Sequence, residues 1–314
     1  MPLDQHVRRF LGENGARLGF PAGARDDPHR AAQYLARVRP TLNTPPAAEP
    51  EPVTDVHDET VHGGTAVRAY RGSPEPGRPI LVYLHGGGWV SGGLEMNDAL
   101  CRRLAALMDC VIVSVDYRLA PECPYPAALG DTVAAIAWSR EHGERLGGDP
   151  SNVSVAGTSA GGNLAAAASL LSRDLGLAPL RLQLLLYPVL DVPTDNSSYV
   201  ANAGGYLLER EQMEWYWDKY LPQRGANVPV YAAPGRSDDL AGLPPAIVVA
   251  AEFDPLRDEA ESYAGRLQDS GVPTELILCE GMIHGFLSFL GAIPAADRAV
   301  ELIADAVRTL AVTH

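Results

Sequence analysis

Short apolar runs alternate with helix-like segments over most of the chain. The runs are apolar at nearly every position, as in strands buried on both faces, whereas the segments between them repeat apolar residues every three to four positions. We predict strands at 80–84, 111–115, 153–156, 182–187, 246–251 and 274–279. We predict helices near 96–108, 127–145, 160–174, 256–270 and 295–311. This alternation predicts an α/β fold with a mostly parallel central sheet, flanked by helices, and functional loops at the carboxyl ends of the strands.

The chain before these strands has a different pattern. Residues 1–39 carry apolar positions at helical spacing with arginines between them, so they are predicted to be helical. Five prolines within residues 40–52 predict a joint that is not helical. After the joint, Val53–Val61 and Thr65–Arg71 are predicted to form a hairpin that turns at Gly63-Gly64.

Residues 191–228 interrupt the alternation. They contain no clean strand pattern, but they hold Trp215, Tyr216, Trp217 and Tyr220 close together. Such crowding is typical of a lid or a pocket wall, and equally of a helical excursion whose aromatic residues are core. The spacing alone leaves both interpretations open.

Composition excludes several classes of protein. The 314 residues are 46% hydrophobic and 20% charged, which excludes wholesale disorder. Lys and Arg number 25 against 39 Asp and Glu, and the net charge of −14 argues against a nucleic-acid-binding surface. Residues 1–20 lack the apolar core of a signal peptide, and no apolar stretch is long enough for a membrane span. We therefore expect a cytoplasmic protein without stable membrane insertion.

The four cysteines do not form a recognisable motif. Cys101, Cys110, Cys123 and Cys279 show no CxxC spacing and have no histidine cluster beside them. Neither a zinc site nor a redox motif is indicated. We expect these residues to be small buried hydrophobes rather than a disulfide framework, and we predict no metal and no organic cofactor.

A G-x-S-x-G pentapeptide, Gly157–Gly161, follows one predicted strand and precedes a predicted helix. Such a strand-to-helix turn lifts a serine hydroxyl clear of the sheet, and glycines are needed because a Cβ would clash. Ser159 is therefore predicted to be a nucleophile. The alternative is a glycine-rich helix start with the serine as its cap, which the preceding strand disfavours.

A second glycine motif, His85-Gly86-Gly87-Gly88-Trp89, directly follows the strand at 80–84. Glycines there let backbone N–H groups approach a reacting carbonyl and stabilise a tetrahedral oxyanion. Glycine loops also hold phosphates, but neither GxxxxGK[ST] nor GxGxxG is present. We interpret His85 as a residue that holds the loop.

A serine nucleophile needs a base and an orienting acid, and in this kind of fold the chain order is serine, acid, histidine. Only His284 and the terminal His314 follow Ser159, and a terminal residue frays, so His284 is the predicted base. Asp254, at the end of a predicted strand, is the preferred acid. It could instead cap the next helix, ahead of a proline. Its rivals are acidic neighbours: Glu252, Asp258 and Glu259.

These motifs together resemble the hormone-sensitive-lipase-like (bacterial type IV) esterases, which are α/β-hydrolases. The resemblance lies in HGGGW, Asp116–Glu122 (DYRLAPE), GTSAGGN, Asp254–Glu259 (DPLRDE) and His284-Gly285-Phe286, in that order. Thr158 matches the GTSAG branch of the family. The resemblance implies a triad of Ser159, Asp254 and His284. It also implies an oxyanion hole formed by the backbone N–H groups of Gly87, Gly88 and Ala160.

The resemblance also implies a domain organisation. A helical cap would be built from residues 1–45 and 191–228, over a catalytic domain formed by 46–190 and 229–314. Five aromatic residues are expected near the substrate pocket: Trp89, Tyr187, Tyr206, Trp215 and Phe286. Relatives often dimerise through the last strand, so a homodimer is expected. A membrane-binding or partner-binding arm is the rival interpretation of the N-terminal segment, because Arg8 and Arg9 are basic.

The resulting hypothesis is a serine carboxylesterase that acts on short- to medium-chain acyl esters, with a small-molecule ester as its partner. Two alternatives stay open. An acyltransferase or lyase would use the same serine site but transfer or eliminate instead of hydrolysing. A non-catalytic receptor on the same scaffold would bind a small ligand under the cap.

Overall fold

A mixed eight-stranded sheet forms the centre of the fold. The computed structural model describes residues 1–42, 50–192, 196–223 and 227–313. The strands are β1 (Asp55–Thr60), β2 (Ala66–Arg71), β3 (Arg78–Leu84), β4 (Val111–Asp116), β5 (Gly148–Thr158), β6 (Gln183–Leu186), β7 (Ala246–Phe253) and β8 (Thr274–Ile283). Their order is β1-β2-β4-β3-β5-β6-β7-β8. Only β2 pairs antiparallel to its two neighbours, so the predicted hairpin and the parallel remainder are both confirmed.

Helices connect the strands and cover both faces of the sheet. They are α1 (Gln5–Leu18), α2 (Pro28–Leu42), α3 (Asp98–Met108), α4 (Ala127–His142), α5 (Ala160–Asp174), α6 (Ser197–Ala201), α7 (Arg210–Tyr220), α8 (Arg257–Asp269) and α9 (Pro294–Thr313). The helices predicted between strands are confirmed, with ends that differ by a few residues. The α/β class is therefore confirmed as well.

Two hydrophobic cores lie on opposite faces of the sheet, because successive side chains of a strand point to opposite sides. Along β3, Ile80, Val82 and Leu84 join the core that contains α4, α5 and α8. Leu81 and Tyr83 join the core that contains α3 and α9. Burial on both faces explains why the parallel strands are apolar at every position.

The N-terminal segment forms two helices, which corrects the prediction of helix throughout residues 1–39. The break begins at Gly19, where the backbone is extended, and Pro21 follows. The side chain of Asp27 then accepts hydrogen bonds from the N–H groups of His29 and Arg30, which begins α2. The second helix continues through Pro40 to Leu42, although Pro40 has no N–H to donate to the preceding turn. Residues 43–49 of the predicted joint lie outside the described residues, whereas residues 50–52 form neither helix nor strand, as predicted.

The cysteines are free thiols in this structure. Burial raises the pKa of both Cys110 and Cys279 to about 12, so these thiols stay neutral at physiological pH. Within the described ranges, no three His, Cys, Asp or Glu side chains are grouped so that they could hold a metal ion. None of the described helices combines the length and the apolar character needed to cross a membrane.

Candidate active site

Ser159 lies in a tight turn between β5 and α5, with φ 56° and ψ −117°. A side chain at either flanking glycine would prevent this turn. A Cβ added to Gly161 would overlap the carbonyl oxygen of Leu84, and one added to Gly157 would overlap the carbonyl oxygen of Gly161. A non-glycine residue in such a conformation costs about 1–3 kcal/mol, which the surrounding packing must offset. The local sequence therefore fixes the serine hydroxyl at the carboxyl edge of the sheet.

A hydrogen-bonded line connects Ser159 with His284 and Asp254. His284 directly follows β8, and its Nε2 is 2.8 Å from Ser159 Oγ. Its Nδ1 is 2.7 Å from Oδ2 of Asp254, which directly follows β7. Asp254 is fully buried, whereas Ser159 and His284 are 8% and 9% exposed. With Nδ1 protonated toward the carboxylate, Nε2 is the nitrogen free to accept the serine proton.

The two carboxylate oxygens of Asp254 have different partners. Oδ2 faces His284, while Oδ1 accepts a hydrogen bond of 2.9 Å from the N–H of Leu256. The Asp254 side chain therefore stabilises the turn before α8 and contacts the imidazole at the same time. The helix-cap interpretation and the acid interpretation of Asp254 are compatible.

The rival acids face other groups. Glu252 accepts a hydrogen bond of 2.7 Å from the N–H of Gly281 and contacts the amino group of Met1. Asp258 and Glu259 bond to backbone N–H groups of the excursion after β6, at Ser198 and Leu190 respectively. Each of these carboxylates therefore bonds to groups other than the imidazole of His284.

A glycine loop after β3 lies beside Ser159. Gly87 and Gly88 have φ values of 103° and 61°, and of the hydrogen bonds formed by the described residues, none uses their N–H groups as donors. The N–H of Ala160 is the first in α5, so it has no partner within the helix and lies at the positive end of the helix dipole. These three N–H groups are thus available to a developing negative charge.

His85 anchors this loop. Its ring stacks on Tyr117 at 4.1 Å between centroids, and its Nδ1 is 2.7 Å from the carbonyl oxygen of Gly86. The hydroxyl of Tyr117 donates to the carbonyl oxygen of His85 at 2.8 Å. Burial lowers the pKa of His85 to about 4, so the ring is neutral at physiological pH. Both observations agree with a loop-holding residue.

A cavity of about 130 Å³ adjoins Ser159 and His284. Part of its wall comes from two segments of the chain outside the sheet. The N-terminal segment contributes Leu18, Tyr34 and Val38. The excursion after β6 contributes Leu207, Leu208, Gln212 and Tyr216. The wall is mostly apolar, which suits an acyl chain or an apolar alcohol.

Of the five aromatic residues expected around the pocket, only Tyr187 lines this cavity. The other four do not line it, and each packs against another aromatic ring. Trp89 stacks on Tyr220, Trp215 packs edge-on against Tyr34, Phe286 packs against Tyr187, and Tyr206 packs against Phe253. Apart from Tyr187, the residues that line the cavity are therefore different from the aromatic residues expected from the sequence.

Tyr34, Val38 and Gln212 line the cavity but were not predicted to do so from the sequence. Tyr34 and Val38 are four residues apart on α2 and therefore share one helix face. This spacing is the feature of the sequence that could have indicated that they line one surface. No comparable feature marks Gln212, because a polar residue on a helix normally faces solvent.

Comparisons with known proteins agree with this arrangement. A family model described as the alpha/beta hydrolase fold matches residues 81–288. The carboxylesterase NlhH of Mycobacterium tuberculosis is 44% identical over 225 residues, 70% of each chain. An arylesterase of Saccharolobus solfataricus is 36% identical over 293 residues, 91% of this chain and 93% of the relative. The solved structure of a hyperthermophilic esterase from Pyrobaculum calidifontis matches with a TM-score of 0.86 and 37% identity, over 99% of this chain and 100% of that chain.

The fold and the arrangement of Ser159, His284 and Asp254 define the class of the protein as an α/β-hydrolase. The similar proteins narrow this class. The chain belongs to the hormone-sensitive-lipase-like esterases of the α/β-hydrolase family. Membership of the GTSAG branch stays a prediction from Thr158.

The contact between Asp254 and His284 generates a test. We expect Asp254→Asn to lower kcat for p-nitrophenyl butyrate by about 10⁴-fold, because an amide favours the wrong imidazole tautomer. Asn caps helices as well as Asp does, so the fold should be retained. Glu252→Gln is the matched control and should change kcat little. A larger loss for Glu252→Gln than for Asp254→Asn would move the acid to Glu252.

Proposed function

We propose that this protein hydrolyses carboxylic esters with short to medium acyl chains, through an acyl-enzyme on Ser159. The observation that carries the proposal is the hydrogen-bonded line from Asp254 through His284 to Ser159, which ends in a mostly apolar cavity. The names of the relatives, carboxylesterase and arylesterase, support this class of substrate. Ser159 is the proposed nucleophile, His284 the base and Asp254 the acid.

The first half of the reaction forms the acyl-enzyme. Ser159 Oγ attacks the ester carbonyl carbon while His284 Nε2 takes the hydroxyl proton. The negative charge on the carbonyl oxygen is stabilised by the N–H groups of Gly87, Gly88 and Ala160. The bond to the alcohol oxygen then breaks, and His284 returns its proton to the leaving alcohol.

The second half releases the acid. Water gives a proton to His284 Nε2 and attacks the acyl carbon, and the same three N–H groups stabilise the second oxyanion. Collapse of this intermediate breaks the bond to Ser159 Oγ, which regains its proton from the imidazolium. Asp254 keeps the imidazole oriented and stabilises its positive charge in both halves.

Residues 1–45 and 191–228 form the proposed cap, over a catalytic domain of 46–190 and 229–314. Arg25, between α1 and α2, pairs with Glu214 and Asp218 on α7. The ring of Tyr34 on α2 packs against Trp215 on α7. Because both parts also line the cavity, the cap would limit the length of the acyl chain.

The proposed partner is a small-molecule ester, in a cytoplasmic protein that binds no nucleic acid and does not insert stably into a membrane. We also propose a homodimer through the sheet edge at β8. Leu276 and Leu278 of this strand are 37% and 41% exposed, and a paired edge would cover them.

The role of Ser159 is tested by Ser159→Ala. We expect kcat for p-nitrophenyl butyrate to fall by at least about 10³-fold while the melting temperature stays close to that of the unmodified protein. Ser169→Ala is the matched control, since Ser169 is a buried serine of α5 whose hydroxyl bonds only to the carbonyl of Ala165. If Ser159→Ala retained a tenth of the original kcat, the assignment of the nucleophile would be wrong.

The cap is tested by the acyl-chain profile of Val38→Ala. Removing two methyl groups from the cavity wall should raise kcat/KM for p-nitrophenyl octanoate relative to the butyrate by about tenfold, because longer chains gain room. Leu35→Ala on the same helix is the control, since Leu35 does not line the cavity. An unchanged profile in Val38→Ala would contradict the placement of α2 over the acyl-binding part of the site.

A further inference from the structure

Ser91 lies two residues after the HGGGW motif and holds a carbonyl group of the glycine loop. Its hydroxyl donates to the carbonyl oxygen of Gly87 at 2.9 Å. The N–H groups of Val90 and Ser91 donate to the same oxygen, at 3.2 and 3.1 Å. The hydroxyl contact is within the usual range for its type, whereas the two N–H contacts are at the long end of theirs. The hydroxyl therefore contributes substantially to holding this carbonyl.

The carbonyl of Gly87 and the N–H of Gly88 belong to one peptide unit. This unit is trans, so its C=O and N–H point to opposite sides. Ser91 is fully buried and does not line the cavity, whereas Gly88 does. Because the carbonyl is held by Ser91, the N–H of Gly88 is directed away from Ser91. This N–H has no acceptor among the described residues.

A peptide unit between two glycines needs such a restraint. Neither Gly87 nor Gly88 has a Cβ, so both signs of φ are open and rotation of the peptide plane between them costs little. A rotation by half a turn would exchange the positions of the C=O and the N–H. Removal of one donor from an oxyanion hole lowers kcat by about 10²–10³-fold, so molecules with the rotated peptide would contribute little turnover.

Other contacts fix the backbone that carries Ser91. The carbonyl oxygen of Trp89 accepts a hydrogen bond from the N–H of Ala120, and that of Val90 accepts one from Nε of Arg39, each at 2.8 Å. Arg39, on α2, also donates to both carboxylate oxygens of Glu122 at 2.9 Å. The serine hydroxyl therefore extends from a fixed segment, as is required of a group that positions another.

The alternative interpretation is a serine that only stabilises its own turn. Serine hydroxyls commonly donate to the carbonyl four residues earlier. Ser169 on α5 is an example, since its buried hydroxyl donates to the carbonyl oxygen of Ala165, also at 2.9 Å. The Ala165 carbonyl shares its peptide unit with the N–H of Ala166, which lies inside the helix. The Gly87 carbonyl instead shares its peptide unit with an N–H at the cavity.

We propose that Ser91 is a positioning residue of the oxyanion hole, whose hydroxyl keeps the Gly87–Gly88 peptide oriented so that the N–H of Gly88 binds the oxyanion. Because Ser91 does not line the cavity, its hydroxyl acts through this peptide and not by contact with the substrate. The proposal rests on the proposed ester hydrolysis and adds to it the residue that orients one of the N–H donors. Loss of the hydroxyl should weaken binding of the charged transition state and leave binding of the uncharged ester unchanged.

The test is Ser91→Ala, with Ser169→Ala as the matched control. Both variants remove a buried hydroxyl that donates to a backbone carbonyl four residues earlier. We expect kcat/KM for p-nitrophenyl butyrate to fall by at least about threefold in Ser91→Ala, since a single neutral hydrogen bond has an effect of this size. Ser169→Ala should stay within about twofold of the unmodified protein. Melting temperatures show whether each variant is folded.

A pair of ketones separates binding of the oxyanion from binding of the rest of the substrate. Ser159 Oγ can add to the carbonyl carbon of 1,1,1-trifluoro-2-hexanone: the C–O bond to serine forms, the hydroxyl proton moves to His284 Nε2, and the ketone oxygen becomes an oxyanion. 2-Hexanone has the same carbon skeleton and serves as the uncharged comparison. In Ser91→Ala the inhibition constant of the trifluoro ketone should rise by the factor by which kcat/KM falls, while that of 2-hexanone stays unchanged.

A serine that stabilises only its own turn would change neither the kcat/KM of the folded protein nor the inhibition constant. The inference is therefore overturned if either quantity changes by less than about threefold in Ser91→Ala, or by no more than in Ser169→Ala. Ser91→Cys, whose thiol donates only weakly, replaces Ser91→Ala if the latter does not fold, with the same expected losses. Failure of the unmodified protein to hydrolyse p-nitrophenyl butyrate would instead overturn the proposed function, and the inference with it.

Discussion

The close backbone approach at the turn between β5 and α5 is the constraint on which the site depends. Gly161 packs against the carbonyl oxygen of Leu84 at the end of β3, and Gly157 packs against Gly161 itself. This contact places Ser159 beside the glycine loop that follows β3, which carries two of the three N–H groups of the proposed oxyanion hole. The strained φ of Ser159 is maintained because the second half of β5 and most of α5 are buried.

The segment that carries Asp254 ties the triad to the cavity wall. The carbonyl oxygen of Asp254 accepts a hydrogen bond of 3.2 Å from the amide of Asn202, which directly follows α6. A few residues further on, Asp258 and Glu259 bond to the N–H groups of the excursion after β6. The geometry of the imidazole and the position of this wall are therefore fixed by one short stretch of chain. A displacement of this part of the cavity wall is therefore expected to alter the position of Asp254 and His284.

The sequence predicted the sheet, the order of its strands along the chain and the three residues of the hydrogen-bonded line. The strands and Ser159 depend on local signals, namely continuous apolar runs and the glycines around the serine, whereas Asp254 and His284 follow from their order along the chain and their places after predicted strands. The pocket wall depends on long-range packing instead. Tyr34 and Gln212 are 178 residues apart, and no local pattern relates them. Likewise, composition marks Trp89 and Trp215 as aromatic but does not tell which way their rings point.

The central claim is that Ser159 becomes covalently modified during the reaction. The direct measurement is intact-protein and peptide mass spectrometry after exposure to diethyl p-nitrophenyl phosphate, which transfers its phosphoryl group to an activated serine. The account predicts one diethylphosphoryl group per chain, located at Ser159, together with loss of esterase activity. A label on another residue, or sustained ester turnover by fully labelled protein, would contradict it.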